Sequence, residues 1–130
     1  MKLLPPRIIK AGLYHGRIVQ AEIVSYPWRQ SAENPQGLCL RTVVEVADDE
    51  GPAHLLDAVD LMNRGRLVAM LASCGIDAHP GRGFDYISAF SGRSCCITAK
   101  SIVPQQGKGA GIEKSVVGSW LLPASTQATA

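Results

Sequence analysis

The chain has 130 residues, 46% hydrophobic and 18% charged, with a formal net charge of +2. That length supports one globular domain with a core of its own and no disulfide framework. No run approaches the ~18 apolar residues of a membrane span. Residues 1–11 lack a signal peptide's apolar stretch, because Pro5, Pro6 and Arg7 interrupt it. A cytoplasmic protein is therefore expected.

The charges are segregated. Residues 1–44 carry six basic and two acidic side chains, residues 45–60 six acidic and none basic, and residues 61–130 seven basic and three acidic. Such segregation can give a nearly neutral protein a basic face, unless folding interleaves the segments. Cys39, Cys74, Cys95 and Cys96 form no C-x-x-C pair, and His15, His54 and His79 add no zinc-ligand spacing. Buried, reduced thiols and no metal are expected.

Residues 1–10 form an arm with two prolines, and the Ile8-Ile9 pair can dock it on the body. Residues 12–24 predict a strand with Val19, Ala21 and Ile23 on one face. Gly16 interrupts it, as at a bulge or tight bend. Residues 25–37 (SYPWRQSAENPQG) form a loop, since Pro27 and Pro35 exclude a central strand. Residues 38–46 alternate, with Leu38, Leu40, Thr42, Val44 and Val46 inward and Cys39, Arg41, Val43 and Glu45 outward. Residues 47–52 (ADDEGP) suit a hairpin turn, so residues 53–61 are its second strand despite some helical propensity.

From Asn63 the period changes. Leu67, Met70, Leu71 and Cys74 follow the i, i+3, i+4, i+7 pattern of an amphipathic helix. Asn63 suits its N-cap and Gly75 its end. Residues 76–90 connect, with a short helical turn near 85–89. Residues 93–102 predict a strand with Cys95, Ile97 and Ala99 on one face and Cys96, Thr98 and Lys100 on the other. Residues 104–113 (PQQGKGAGIE) form a glycine-rich loop expected to be mobile, and residues 115–122 a last strand. The polar tail at 124–130 is expected to be disordered.

Three strands, one helix and two more strands form the element order of the OB barrel. The expected class is all-β with one short helix, a five-stranded OB-like barrel over residues 11–123. Phe84, Tyr86 and Phe90 would cap its bottom beside the helix. Trp120 would pack in the core or at an interface. A small barrel with open edges favours a homo-oligomer. OB barrels bind oligonucleotides with the second and third strands and the loops after the first and fourth.

Three stretches carry a closer resemblance. One is Gly12-Leu13-Tyr14 through Glu22, with a polar loop ending at Gly37 and an alternating strand. Another is Arg66 through Ile76 (RLVAMLASCGI), a helix ending in Cys-Gly-Ile. The third is Phe90 through Thr98 (FSGRSCCIT), a loop, a Gly-Arg step and an apolar strand. In order and spacing these resemble a phage-borne family of small single-stranded DNA-binding, recombination-associated proteins. The resemblance implies DNA binding in phage or mobile-element replication or recombination. The chain departs from that pattern in having Arg29 alone, without lysines, in its first loop, and no acidic tail.

Single-strand binders need cations for phosphates and aromatic faces for bases. Tyr26, Trp28 and Arg29 supply both in one loop, although Trp28 could instead fold over the barrel end. Lys108 and Lys114 flank the glycine-rich loop, and Arg41 and Lys100 point away from the core. These seven are the candidate contacts for single-stranded DNA, or RNA. The rival reading is an OB-fold protein-interaction or assembly module with Trp28 and Trp120 as interface anchors.

Catalysis finds no motif. The Gly107–Gly111 run lacks the G-x-x-x-x-G-K-[ST] pattern. Asp48-Asp49-Glu50 sits in a turn, and the histidines have no base-and-orienter arrangement. No enzyme activity and no cofactor are expected.

Overall fold

A computed structural model describes residues 2–81 and 83–123; the tail at 124–130 lies outside the described residues. The strands are β1 (Gly12–Ser25), β2 (Leu38–Asp48), β3 (Gly51–Asp60), β4 (Ser94–Ile102) and β5 (Lys114–Leu121). Helix α1 (Arg64–Ser73) lies between β3 and β4, followed by the single turn α2 (Tyr86–Phe90). The strands close into a barrel in the order β1-β2-β3-β5-β4. All pairs are antiparallel except β3 with β5. This is the OB-like barrel that the element order predicts.

β1 serves two neighbours, pairing with β4 from Gly12 to Arg17 and with β2 from Arg17 to Ser25. It must curl between them. A Cβ at Gly16 would lie 2.7 Å from Val44 Cγ1 and 3.0 Å from the Glu45 carbonyl, so the curl needs a residue with no side chain. The bulge is not at Gly16. The register slips between Ile18 and Gln20, which leaves Val19 outside the ladder. The inward face is corrected accordingly. Ile18 takes the place expected of Val19, Ala21 is buried as expected, and Ile23 emerges beside Leu61, Leu67 and Phe84.

On β2, Leu40, Thr42, Val44 and Val46 are buried as their alternation predicts, and Leu38 is half-buried. Cys39 and Val43 are buried too, although the alternation places them outward. β2 is flanked on both sides, with Gln20 and Leu56 as the partners of Val43. Cys39 is likewise flanked, by Val24 of β1 and Asp60 of β3.

The helices close one end of the barrel. Asn63 caps α1 by accepting from the Arg66 N–H at 3.2 Å, and Asp85 caps α2 by accepting from the Ser88 N–H at 3.1 Å. Leu67, Met70, Leu71 and Phe90 enter the core, with Phe84 and Tyr86 packed against it as expected. Ser73 Oγ accepts from the Cys96 N–H at 3.1 Å and donates to the Cys96 carbonyl at 2.9 Å. This pair of bonds fastens α1 to β4, and Cys96 is buried although it alternates away from the core face.

β3 and β5 share a single ladder pair, Leu56 with Val116. The arm covers the start of that seam. Arg7 donates to both Asp48 oxygens, at 2.6 and 2.9 Å, and to the Gly51 carbonyl at 2.7 Å. The Leu4 N–H donates to His54 Nδ1 at 3.0 Å, so the proton of that ring sits on Nε2, which donates to Glu45 at 3.0 Å. The Ile9 N–H donates to Ser115 Oγ at 2.9 Å. Ile9 alone docks in the core; Ile8 is exposed. The closed, covered barrel removes the open edges on which the expectation of an oligomer rested.

Arg7 holds the Asp48 carboxyl down at about 2, from an ordinary 3.8. A depressed carboxylate stabilises the fold above its ordinary value and loses that contribution as pH falls through the folded one. Acidification from 3.8 towards 2 should therefore release the arm. Amide shifts of Leu4 and Ile9, followed by NMR, should move together over that range. Asp48→Asn should give the released pattern at neutral pH. Shifts that stay fixed through the titration would mean that apolar packing alone holds the arm.

Candidate nucleic-acid interface

A groove of about 1080 Å³ crosses the outer barrel surface where β3 meets β5, between the loops after β1 and β4. The first loop is closed at its neck. The Tyr26 N–H donates to the Gly37 carbonyl at 3.0 Å, and Gly37 has φ +62°. A Cβ there would lie 2.1 Å from the Tyr26 carbonyl, so only glycine permits this closure. Buried Asn34 pins the loop from within, accepting from the Leu38 N–H at 3.0 Å and donating to the Leu38 carbonyl at 2.8 Å. Pro27–Arg29 form a short 3₁₀ turn. The turn sets the Trp28 ring against Tyr26, with centroids 5.0 Å apart and planes 30° apart. Trp28 remains 47% exposed.

The glycine-rich loop is also closed on itself. The Gly111 N–H donates to the Pro104 carbonyl at 2.8 Å, and the Ala110 N–H to the Gly107 carbonyl at 3.2 Å. A Cβ on Gly107 would lie 3.5 Å from Trp28 Cη2, so the two loops approach each other over the groove. The structure brings all seven sequence-predicted residues together: Tyr26, Trp28, Arg29, Arg41, Lys100, Lys108 and Lys114 line this one groove. They differ in what holds them. Arg41 is ion-paired with Glu22, its cross-strand partner on β1. Arg29, Lys100, Lys108 and Lys114 make no salt bridge among the described residues.

Three groups that sequence reasoning did not join lie at the same place. Asp57 Oδ2 accepts from Trp120 Nε1 at 2.6 Å and from Arg66 Nε at 3.0 Å. Arg66 also donates to the Gly118 carbonyl at 3.3 Å, which ties α1 to both β3 and β5. Burial pushes the Asp57 carboxyl up, and the Trp120 N–H and Arg66 pull it back down. Trp120 is 6% exposed and belongs to the core, not to an interface. The signal was present in the chain. Ala53, Leu55 and Val59 face inward from β3, and position 57 is the charged interruption of that alternation.

Among the described residues no cluster of His, Cys, Asp and Glu could hold a metal. No disulfide joins any of the four cysteines; burial pushes the Cys74 thiol to about 11 and Cys95 to about 12, so both stay protonated. No family model and no curated protein matches this sequence, so the geometry of the groove carries the functional argument.

Arg66→Ala would leave the Asp57 carboxylate buried without its cation. The expected loss in denaturant unfolding is about 3 kcal/mol. A raised carboxyl contributes its stability below its ordinary value and loses it as pH rises. The deficit of the variant should therefore shrink on acidification, as Asp57 takes up a proton. A deficit that is constant with pH would mean that Arg66 acts by packing and by its bonds to β5.

Proposed function

We propose that this protein binds single-stranded nucleic acid, DNA foremost, along the groove, largely independently of sequence. Backbone phosphates meet Arg29, Lys100, Lys108 and Lys114, and bases stack on the exposed Trp28 beside Tyr26. The observation that carries this reading is the convergence of a stacked aromatic pair and four cations without ion pairs in one groove. A cation already paired in the free protein must give up that partner to meet a phosphate; these four need not. The placement agrees with the way OB barrels hold oligonucleotides, between the loops after strands one and four. The resemblance in order and spacing supports a setting in phage or mobile-element replication or recombination. The rival reading as a protein-interaction module loses one of its two anchors, since Trp120 is buried.

Titration with oligo-dT tests the proposal. Affinity should fall steeply with salt, because each neutralised phosphate releases a counterion. Binding that is indifferent to salt would sink the reading. Trp28→Ala should weaken binding by roughly 1–3 kcal/mol, the worth of one stacked base, with the melting temperature nearly unchanged. Lys108→Ala combined with Lys114→Ala should lower the salt slope by about two units, one per lost phosphate contact. If Trp28→Ala melts early yet binds normally when folded, Trp28 is a packing residue.

A further inference from the structure

The two walls of the groove differ in charge. Lys100, Lys108 and Lys114 stand on β4, β5 and the loop between them. On the opposite wall Arg41 is paired with Glu22 and Asp57 with Arg66, which leaves one cation, Arg29, and one carboxylate, Asp60, without an ion pair among the described residues. A strand in the groove gains most by laying its phosphates along the lysine wall. Its bases then face the wall that carries Tyr26, Trp28 and Asp60.

Asp60 has an oxygen to spare. Its Oδ1 accepts from the Met62 N–H at 2.7 Å and from Asn34 Nδ2 at 2.9 Å, which braces the turn after β3 and the loop after β1. Its Oδ2 accepts from no donor among the described residues. An asparagine would serve both donors of Oδ1 equally well, so the turn does not require the second carboxylate oxygen. That oxygen repels phosphate and accepts from an amino group.

We infer that Asp60 reads the bases, accepting a hydrogen bond from the exocyclic amino group of cytosine or adenine and disfavouring thymine and uracil. Those two carry a carbonyl oxygen on the ring carbon where cytosine carries its amino group, and among the purines the same contrast separates guanine from adenine. The inference rests on the groove being the single-strand interface. It adds a bias among strands to binding that phosphates and stacking dominate, and it makes Asp60 a specificity-determining residue.

The test compares labelled oligo-dC and oligo-dT of equal length by fluorescence anisotropy at one salt concentration. The wild-type protein should bind oligo-dC roughly tenfold more tightly, the worth of one good base contact. Asp60→Asn should bring the two affinities together. An oligomer of N4,N4-dimethylcytosine, which lacks the amino donors, should bind the wild-type protein as weakly as oligo-dT. This comparison decides the matter even if Asp60→Asn fails to fold. Equal, salt-sensitive affinities for oligo-dC and oligo-dT would overturn the role of Asp60 and leave the groove standing. No salt-sensitive binding of any strand would overturn the groove itself.

Discussion

The architecture depends on how β3 is joined to β5. Four of the barrel's five seams are antiparallel ladders, and the fifth is a single parallel pair at Leu56 and Val116. The rest of that seam is closed by side chains. Asp57 and Arg66 hold it on the helix side, with the Trp120 N–H on the same carboxylate oxygen. The arm holds it on the hairpin side through Arg7, Leu4 and Ile9. A buried carboxylate is costly to desolvate, and it persists here because it has an indole N–H and a guanidinium as partners. The groove lies over this seam, so the groups that close the barrel also form part of the surface proposed to receive a strand.

That arrangement separates structural charge from available charge. Arg7, Arg41 and Arg66 are paired and hold the fold together. The cations of the groove without ion pairs are three lysines and Arg29. The acidic block at 45–60 is likewise divided. Asp48 and Glu50 go to the arm, Glu45 to His54, and Asp57 and Asp60 to the groove. A net charge of +2 therefore says little about the potential a phosphate would meet.

Much of this was legible in the chain because strand and helix periods differ. The change from period two to period 3.6 after Asn63 marks α1, and the turn at 47–52 marks the β2–β3 hairpin even though β3 has a partly helical composition. The candidate site was legible as residue types in two loops and on two outward strand faces. Three things were not. The Val19 bulge depends on which partner β1 pairs with at each point along its length. The burial of Cys39 is not given by the alternation of β2, which places it outward; it lies between Val24 of β1 and Asp60 of β3. The bond between Asp57 and Trp120 joins residues 63 positions apart, and no local pattern encodes which partner an inward carboxylate will find.

The docking of Ile9 on Ser115 ties the arm to the last strand of the barrel. The two residues are 106 positions apart in sequence. The β1–β2–β3 meander can pair locally, but its inner apolar face has no cover on the far side until β5 arrives. Contacts of such separation carry a loop-closure cost that must be met before they stabilise anything, which slows the final step. The contact of the arm with β5 needs residue 115, whereas Arg7 and Leu4 have their partners, Asp48 and His54, on the β2–β3 hairpin.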